Sequence, residues 1–196
     1  MAATNPYADI TVVPRIAIKL PLPLPIPTGF VPERPETWPV VEGRLEYVDG
    51  RLEYLPPCRE IQQRVVTDVV YQLRRWTEGH PGYVVGTNEA GMLLGGEVRG
   101  ADAAIWNAAP PGPGYARTPP ILAVEVLGKD ETLEMLLDKA LWYLDHGVEV
   151  VWTVDPASRR VHVTTRAGTS EIADVVPEAA ALPGLAVRVA DLFRQI

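Results

Sequence analysis

"ILAVEVLGKDETLEMLLDKALWYLDHGVEVVWTVDP", residues 121–156, decides the fold. Its first seven residues set six apolar side chains around one carboxylate, Glu125. A run so rich in Val, Ile and Leu reads as a strand buried on both faces. From Asp130 to about His146 the period changes. Leu133, Leu136, Leu137, Ala140 and Leu144 fall on one helical face, and Gly147 closes the helix. "VEVVWTVDP" then reads as a second apolar strand. Strand, crossover helix and strand form a βαβ unit, so the two strands are expected to be parallel. A buried, ionised carboxylate costs several kcal/mol unless something pairs with it. Glu125 therefore needs a partner.

Working outward, "RRVHVTTRAG" pairs back through the turn "DPAS", and "DLFRQI" reads as a last helical turn. Upstream, "NAAPPGPGYARTPP" is a loop by composition, "GADAAIW" a short strand, and "GYVVGTNEAGMLLG" two strands around a turn. Ile61, Val65, Val69, Leu73 and Trp76 mark a helix from Arg59 to Gly79, stopped by Pro81. "GRLEYVDGRLEYL" is a hairpin around Asp49-Gly50. The sum is an α/β (α+β) domain, one mixed sheet with helices against its faces, over residues 40–196. Residues 1–39 differ. "PLPLPIPTGFVPERPETWP" predicts an extended polyproline-like arm, because proline fixes φ and cannot donate to a ladder. Three uses suit such an arm: packing on its own domain, clamping a symmetry mate, or docking to a proline-binding module.

A chain of 196 residues, 47% hydrophobic and 22% charged, can bury a core. Its net charge of −7 argues against a basic nucleic-acid coat, though not against an enzyme that meets phosphate through a local groove and a cation. Cys58 is the single cysteine, which excludes an internal disulfide and a cysteine-based metal site. No stretch resembles a signal peptide or is long enough to span a bilayer, so a soluble, reducing, cytoplasmic setting is expected.

Further acids sit where acids are uncomfortable. Asp102 lies just inside an apolar strand, and Glu46 lies on the first hairpin. If Asp102 and Glu125 share one face of adjacent strands, they form a paired-carboxylate site for magnesium or manganese. Taken singly, each acid is better explained by backbone hydrogen bonds, an arginine or a turn. Lys139 has Met135 and Tyr143 as its i−4 and i+4 neighbours, so no intrahelical ion pair accounts for it. It could reach over the strand edge toward Glu125, to offset charge or orient a water. On spacing alone the favoured reading lays its stem on the helix with its head in water.

These segments, from "LEYVDGRLEYL" through "ADAAIW" and the 121–156 unit to "LPGLAVRVADLF", together resemble the Uma-two family over roughly residues 42–194. That family groups restriction endonucleases of the PD-(D/E)XK nuclease-like fold. The resemblance implies a restriction-endonuclease-like mixed sheet with an N-terminal β-hairpin, and a magnesium- or manganese-dependent endonuclease acting on DNA, as a homodimer or higher homo-oligomer. It places the metal-binding Asp on Asp102, after Ala101 rather than the usual Pro, and the strand glutamate on Glu125. The superfamily lysine two residues on is Leu127 here. The resemblance implies that Lys139 of the following helix supplies it. The early family glutamate falls on Glu46, a further candidate metal ligand. Three positions depart: Gln62 stands where the family often has His, Gly128 where it often has Ser, and Val150 where it has Glu. The alternative implied by these departures is a nuclease-like fold kept as a binding or assembly module.

Overall fold

A computed structural model describes residues 19–109 and 112–196. Among them, the strands of the main sheet are β1 (Leu22–Leu24), β2 (Arg44–Val48), β3 (Arg51–Leu55), β4 (Tyr83–Leu94), β5 (Glu97–Asn107), β6 (Leu122–Val126), β7 (Val150–Asp155), β8 (Arg160–Thr165) and β9 (Gly168–Ile172). Two helices, α1 (Glu60–Thr77) and α2 (Leu133–Asp145), complete the frame. A small ribbon of β10 (Val175–Val176) and β11 (Val187–Arg188) precedes a 3₁₀ turn at Val189–Leu192. The sheet order is β1-β3-β2-β5-β6-β7-β8-β9, with β4 paired to β5.

The expected βαβ unit is present. β6 and β7 run parallel, with Glu125 beside Thr153, and α2 crosses between them. All five residues of β6 are buried because helices cover both faces of the sheet there. On one face Val65, Val69 and Leu73 of α1 pack against Ile105, Val124, Trp152 and the C-terminal Leu192 and Phe193. On the other, Ala140, Tyr143 and Leu144 of α2 lie on Ala101, Ala104, Ala123 and Val151. Those alanines let α2 sit close to the strands, which matters for the reach of Lys139. The helix starts at Leu133 because Thr132 caps it, accepting from Met135 N at 3.3 Å. Among the described residues no helix is long and apolar enough to cross a membrane.

Two expectations need correction, and one strand was not foreseen. "GYVVGTNEAGMLLG" is one strand, β4, interrupted by a bulge between Thr87 and Ala90. Asn88 and Glu89 take left-handed φ values of 59° and 58°, which absorbs the extra residues without a turn. "GTSEI", unassigned in the sequence, is the edge strand β9, exposed at four of its five positions and so lacking an apolar period. The arm is not simply polyproline-like. Leu22–Leu24 pairs antiparallel with Leu52–Tyr54 of β3, and Pro23 is tolerated because β1 is an edge strand. Residues 1–18 of the arm lie outside the described residues.

Candidate active site

β5 gives one edge to β4 along nearly its full length. Its other edge is shared: Val98 pairs with Tyr47 of β2, and Ala103–Ile105 pair with Leu122–Val124 of β6. Between these two contacts residues 99–102 have no strand beside them on that edge. The sheet forks there, and the predicted site residues converge on the fork.

Lys139 reaches over from α2. Its Nζ donates to Glu46 Oε1 at 2.8 Å and to the Gly100 carbonyl at 2.8 Å, and lies 3.1 Å from Glu125 Oε1. The ammonium thus lies beside Glu125 and is paired with Glu46, and the surface-lysine alternative is excluded. Glu46 Oε1 also accepts from Gly100 N at 3.0 Å. Tyr143, one turn after Lys139, donates its hydroxyl toward Glu125 Oε1 at 2.7 Å and lies 3.1 Å from the Gly100 carbonyl. Asp102 Oδ2 accepts from Val126 N at 2.7 Å, which ties β5 to β6 just beyond the last ladder pair. Asp102 is 5% exposed and Glu125 3%. Gln62 of α1 donates to the Val126 carbonyl at 3.0 Å and reaches Asp102 Oδ2 at 3.5 Å. Gly128 makes room for this amide: a Cβ there would stand 3.0 Å from Gln62 Oε1 and 2.8 Å from Glu131 Oε2.

One ammonium serves two carboxylates, and they do not respond alike. Burial disfavours charge on Glu46, but Lys139 and the Gly100 amide outweigh it and hold the carboxyl below its usual range. Burial dominates at Glu125; with Asp102 and Glu46 beside it, the carboxyl is pushed up to about 8 despite Lys139. Burial and then the Glu89 carboxylate push Asp102 up to about 6. Lys139 is buried too, yet Glu125 and Glu46 carry it well above its ordinary range, so it stays protonated.

The donor set suits a hard divalent cation. Glu46 Oε2, Glu125 Oε2 and Asp102 Oδ1 make no hydrogen bond among the described residues. All three are carboxylate oxygens, the chemistry that magnesium and manganese prefer. Among the described residues no three acidic, His or Cys side chains stand ready to hold an ion by themselves. A cation there would draw on two of these carboxylates at most, the remaining positions going to water and substrate phosphate, as is usual for magnesium.

Sequence reasoning missed three contributors: the Tyr143 hydroxyl, both backbone groups of Gly100, and the Arg44–Glu89 ion pair at 3.0 Å. Only Tyr143 had a signal, its i+4 spacing from Lys139.

Helices on both faces of a mixed sheet, with carboxylates and a lysine where the strands part, define a nuclease-like fold. The chain belongs to the Uma2 family, described as "Putative restriction endonuclease", whose model matches residues 33–190. The fold is shared with the crystal structure of "a putative nuclease belonging to DUF820 from Anabaena variabilis ATCC 29413". That likeness has a TM-score of 0.71 and 18% identity, and covers 81% of this chain and 94% of the other. A comparison with curated proteins finds no match.

Proposed function

We propose that the protein is a magnesium- or manganese-dependent endonuclease that hydrolyses DNA phosphodiester bonds, in the cytoplasm, as a homodimer or higher homo-oligomer. The observation that carries the reading is the convergence of Asp102, Glu125 and Lys139, from β5, β6 and α2, on one fork of the sheet. A pair of cuts across a duplex calls for two copies of the site, hence the oligomer.

Asp102 and Glu125 would hold the cation, with Glu46 as the further acidic candidate. The bound ion would polarise the phosphate and lower the pKa of a water. Lys139 is charged at neutral pH, so it donates rather than accepts a proton. It steadies charge developing on the phosphoryl oxygens or orients the attacking water. Tyr143 fixes one Glu125 oxygen and leaves the other open. The Val126 amide fixes Asp102 in the same way. Water attacks phosphorus in line, and a 3′-oxygen leaves.

Gln62 favours a second reading, a nuclease-like fold used for binding or assembly. It stands where relatives often carry His, and an amide cannot serve as a base. Calorimetric titration with manganese, paired with plasmid nicking in magnesium, separates the two. The nuclease reading requires binding that is lost in Asp102→Asn and Glu125→Gln, and nicking that is lost in Lys139→Met. Absence of divalent binding by the parent protein would leave the binding module.

A further inference from the structure

The geometry points to Arg44 as the residue that grips a backbone phosphate beside the carboxylates, an inference that rests on the nuclease reading. Arg44 and Glu46 are two residues apart on β2, so their side chains leave the same face. The guanidinium donates a hydrogen bond at one corner only, although Glu131 and Asp102 add to the negative charge around it. Nη1 donates to Glu89 Oε1 at 3.0 Å. Nη2 is 4.0 Å from the Glu131 carboxylate, beyond hydrogen-bond reach. Nε is buried and has no partner among the described residues. Nε and Nη2 form the edge of the group that matches two oxygens of a phosphate.

Lys139 is the weaker grip for an incoming phosphate, because with no substrate bound its ammonium is directed at Glu46, the Gly100 carbonyl and Glu125. Arg99 is paired with Glu97 at 2.7 Å and stacked 4.2 Å above Trp142. Arg44 is thus the cation at the fork with donors to spare. It lines a cleft of about 490 Å³ together with Glu46, Glu89, Arg99, Gly100 and Tyr115. A nucleotide unit entering this cleft brings its phosphate past the Glu46 and Glu89 carboxylates, and the Nε–Nη2 edge of Arg44 supplies donors that offset that repulsion.

The bulge in β4 serves this arrangement. Left-handed backbone at two successive non-glycine residues carries strain, which persists where surrounding structure enforces it. Here it brings the Glu89 carboxylate onto Arg44. Gly100 lets the bulge approach, since a Cβ at that position would meet Glu89 Cβ at 3.2 Å. Glu89 positions the guanidinium, and the free edge takes the phosphodiester oxyanion.

The test is fluorescence anisotropy of a labelled DNA duplex in calcium over a salt series, with the parent protein, Arg44→Met, Arg44→Lys and Glu89→Gln. Melting curves confirm that each variant is folded. Arg44→Met is expected to bind about tenfold more weakly, with the slope of log K against log salt reduced by about 0.9, one phosphate contact. Arg44→Lys keeps the charge and should keep the slope, while losing affinity because the fork is gone. Glu89→Gln should bind as tightly as the parent or more tightly. Parent-like affinity and slope in Arg44→Met, with the parent protein binding and nicking DNA, would overturn the role of Arg44 alone. Failure of the parent to bind duplex at any salt would remove the nuclease reading and this inference with it.

Discussion

Replacing Glu125 by Gln should raise the stability of the metal-free protein at neutral pH. The carboxyl titrates near 8 in the folded protein, against an ordinary value of 4.5. Between those limits the folded chain holds a proton that the unfolded chain has released. Stability contributed by this group is therefore complete below about pH 4.5 and falls as pH rises toward 8. At one proton and 1.36 kcal/mol per pH unit, the loss is roughly 2–4 kcal/mol at pH 7 and about 1 kcal/mol at pH 5. Gln keeps the shape of the protonated acid and can accept from Tyr143, while Lys139 retains Glu46 and the Gly100 carbonyl. It escapes the loss. For a chain of this size the gain is on the order of 5–12 °C in Tm at pH 7, shrinking to a few degrees at pH 5. Melting curves in chelator at both pH values measure it. Magnesium should then raise the Tm of the parent and leave Glu125→Gln unmoved. A variant that melts well below the parent at pH 7 in chelator would refute the reasoning. It would mean that Glu125 is ionised and serves as the counter-ion of Lys139, a pair whose breakage costs about 3–5 kcal/mol.

Manganese affinity should rise about tenfold per pH unit between pH 6 and 8, because Glu125 gives up its proton on binding; calorimetry in buffers of different ionisation enthalpy would count that proton. Gly128→Ser should cost about 1–3 kcal/mol, since its Cβ meets both Gln62 and Glu131, and its effect should be less than additive with Gln62→Ala in thermal melts. Deleting residues 1–38 removes β1 from β3 and should lower the melting temperature or dissociate an oligomer; sedimentation and melting together check both.

The βαβ core was legible because its hydrophobic period switches from strand to helix and back within 36 residues. The first hairpin was legible from Asp49-Gly50, both of which take positive φ in the turn. The bulge was not. Asn and Gly in "TNEAG" are turn residues by type, and only tertiary pairing with β5 shows that the strand continues through them. Lys139 lay between two readings for a similar reason. Helical spacing gives its flank, but the depth of α2 on the sheet depends on four alanines scattered over β5, β6 and α2. The hydroxyl of Tyr143 was hidden behind an apolar ring that suits a core on its own account.

Gly100 gives the site a built-in witness. Its N–H is bound by a side chain at the fork, Glu46, and its carbonyl is bound by Lys139 and Tyr143. Any change in the ionic state of those groups therefore reaches the two peptide units that flank Gly100, one through its N–H and one through its carbonyl. The amide resonance of Gly100, followed through a cation or pH titration, would report the occupancy of the fork directly from the backbone. It would do so even in variants that turn over nothing.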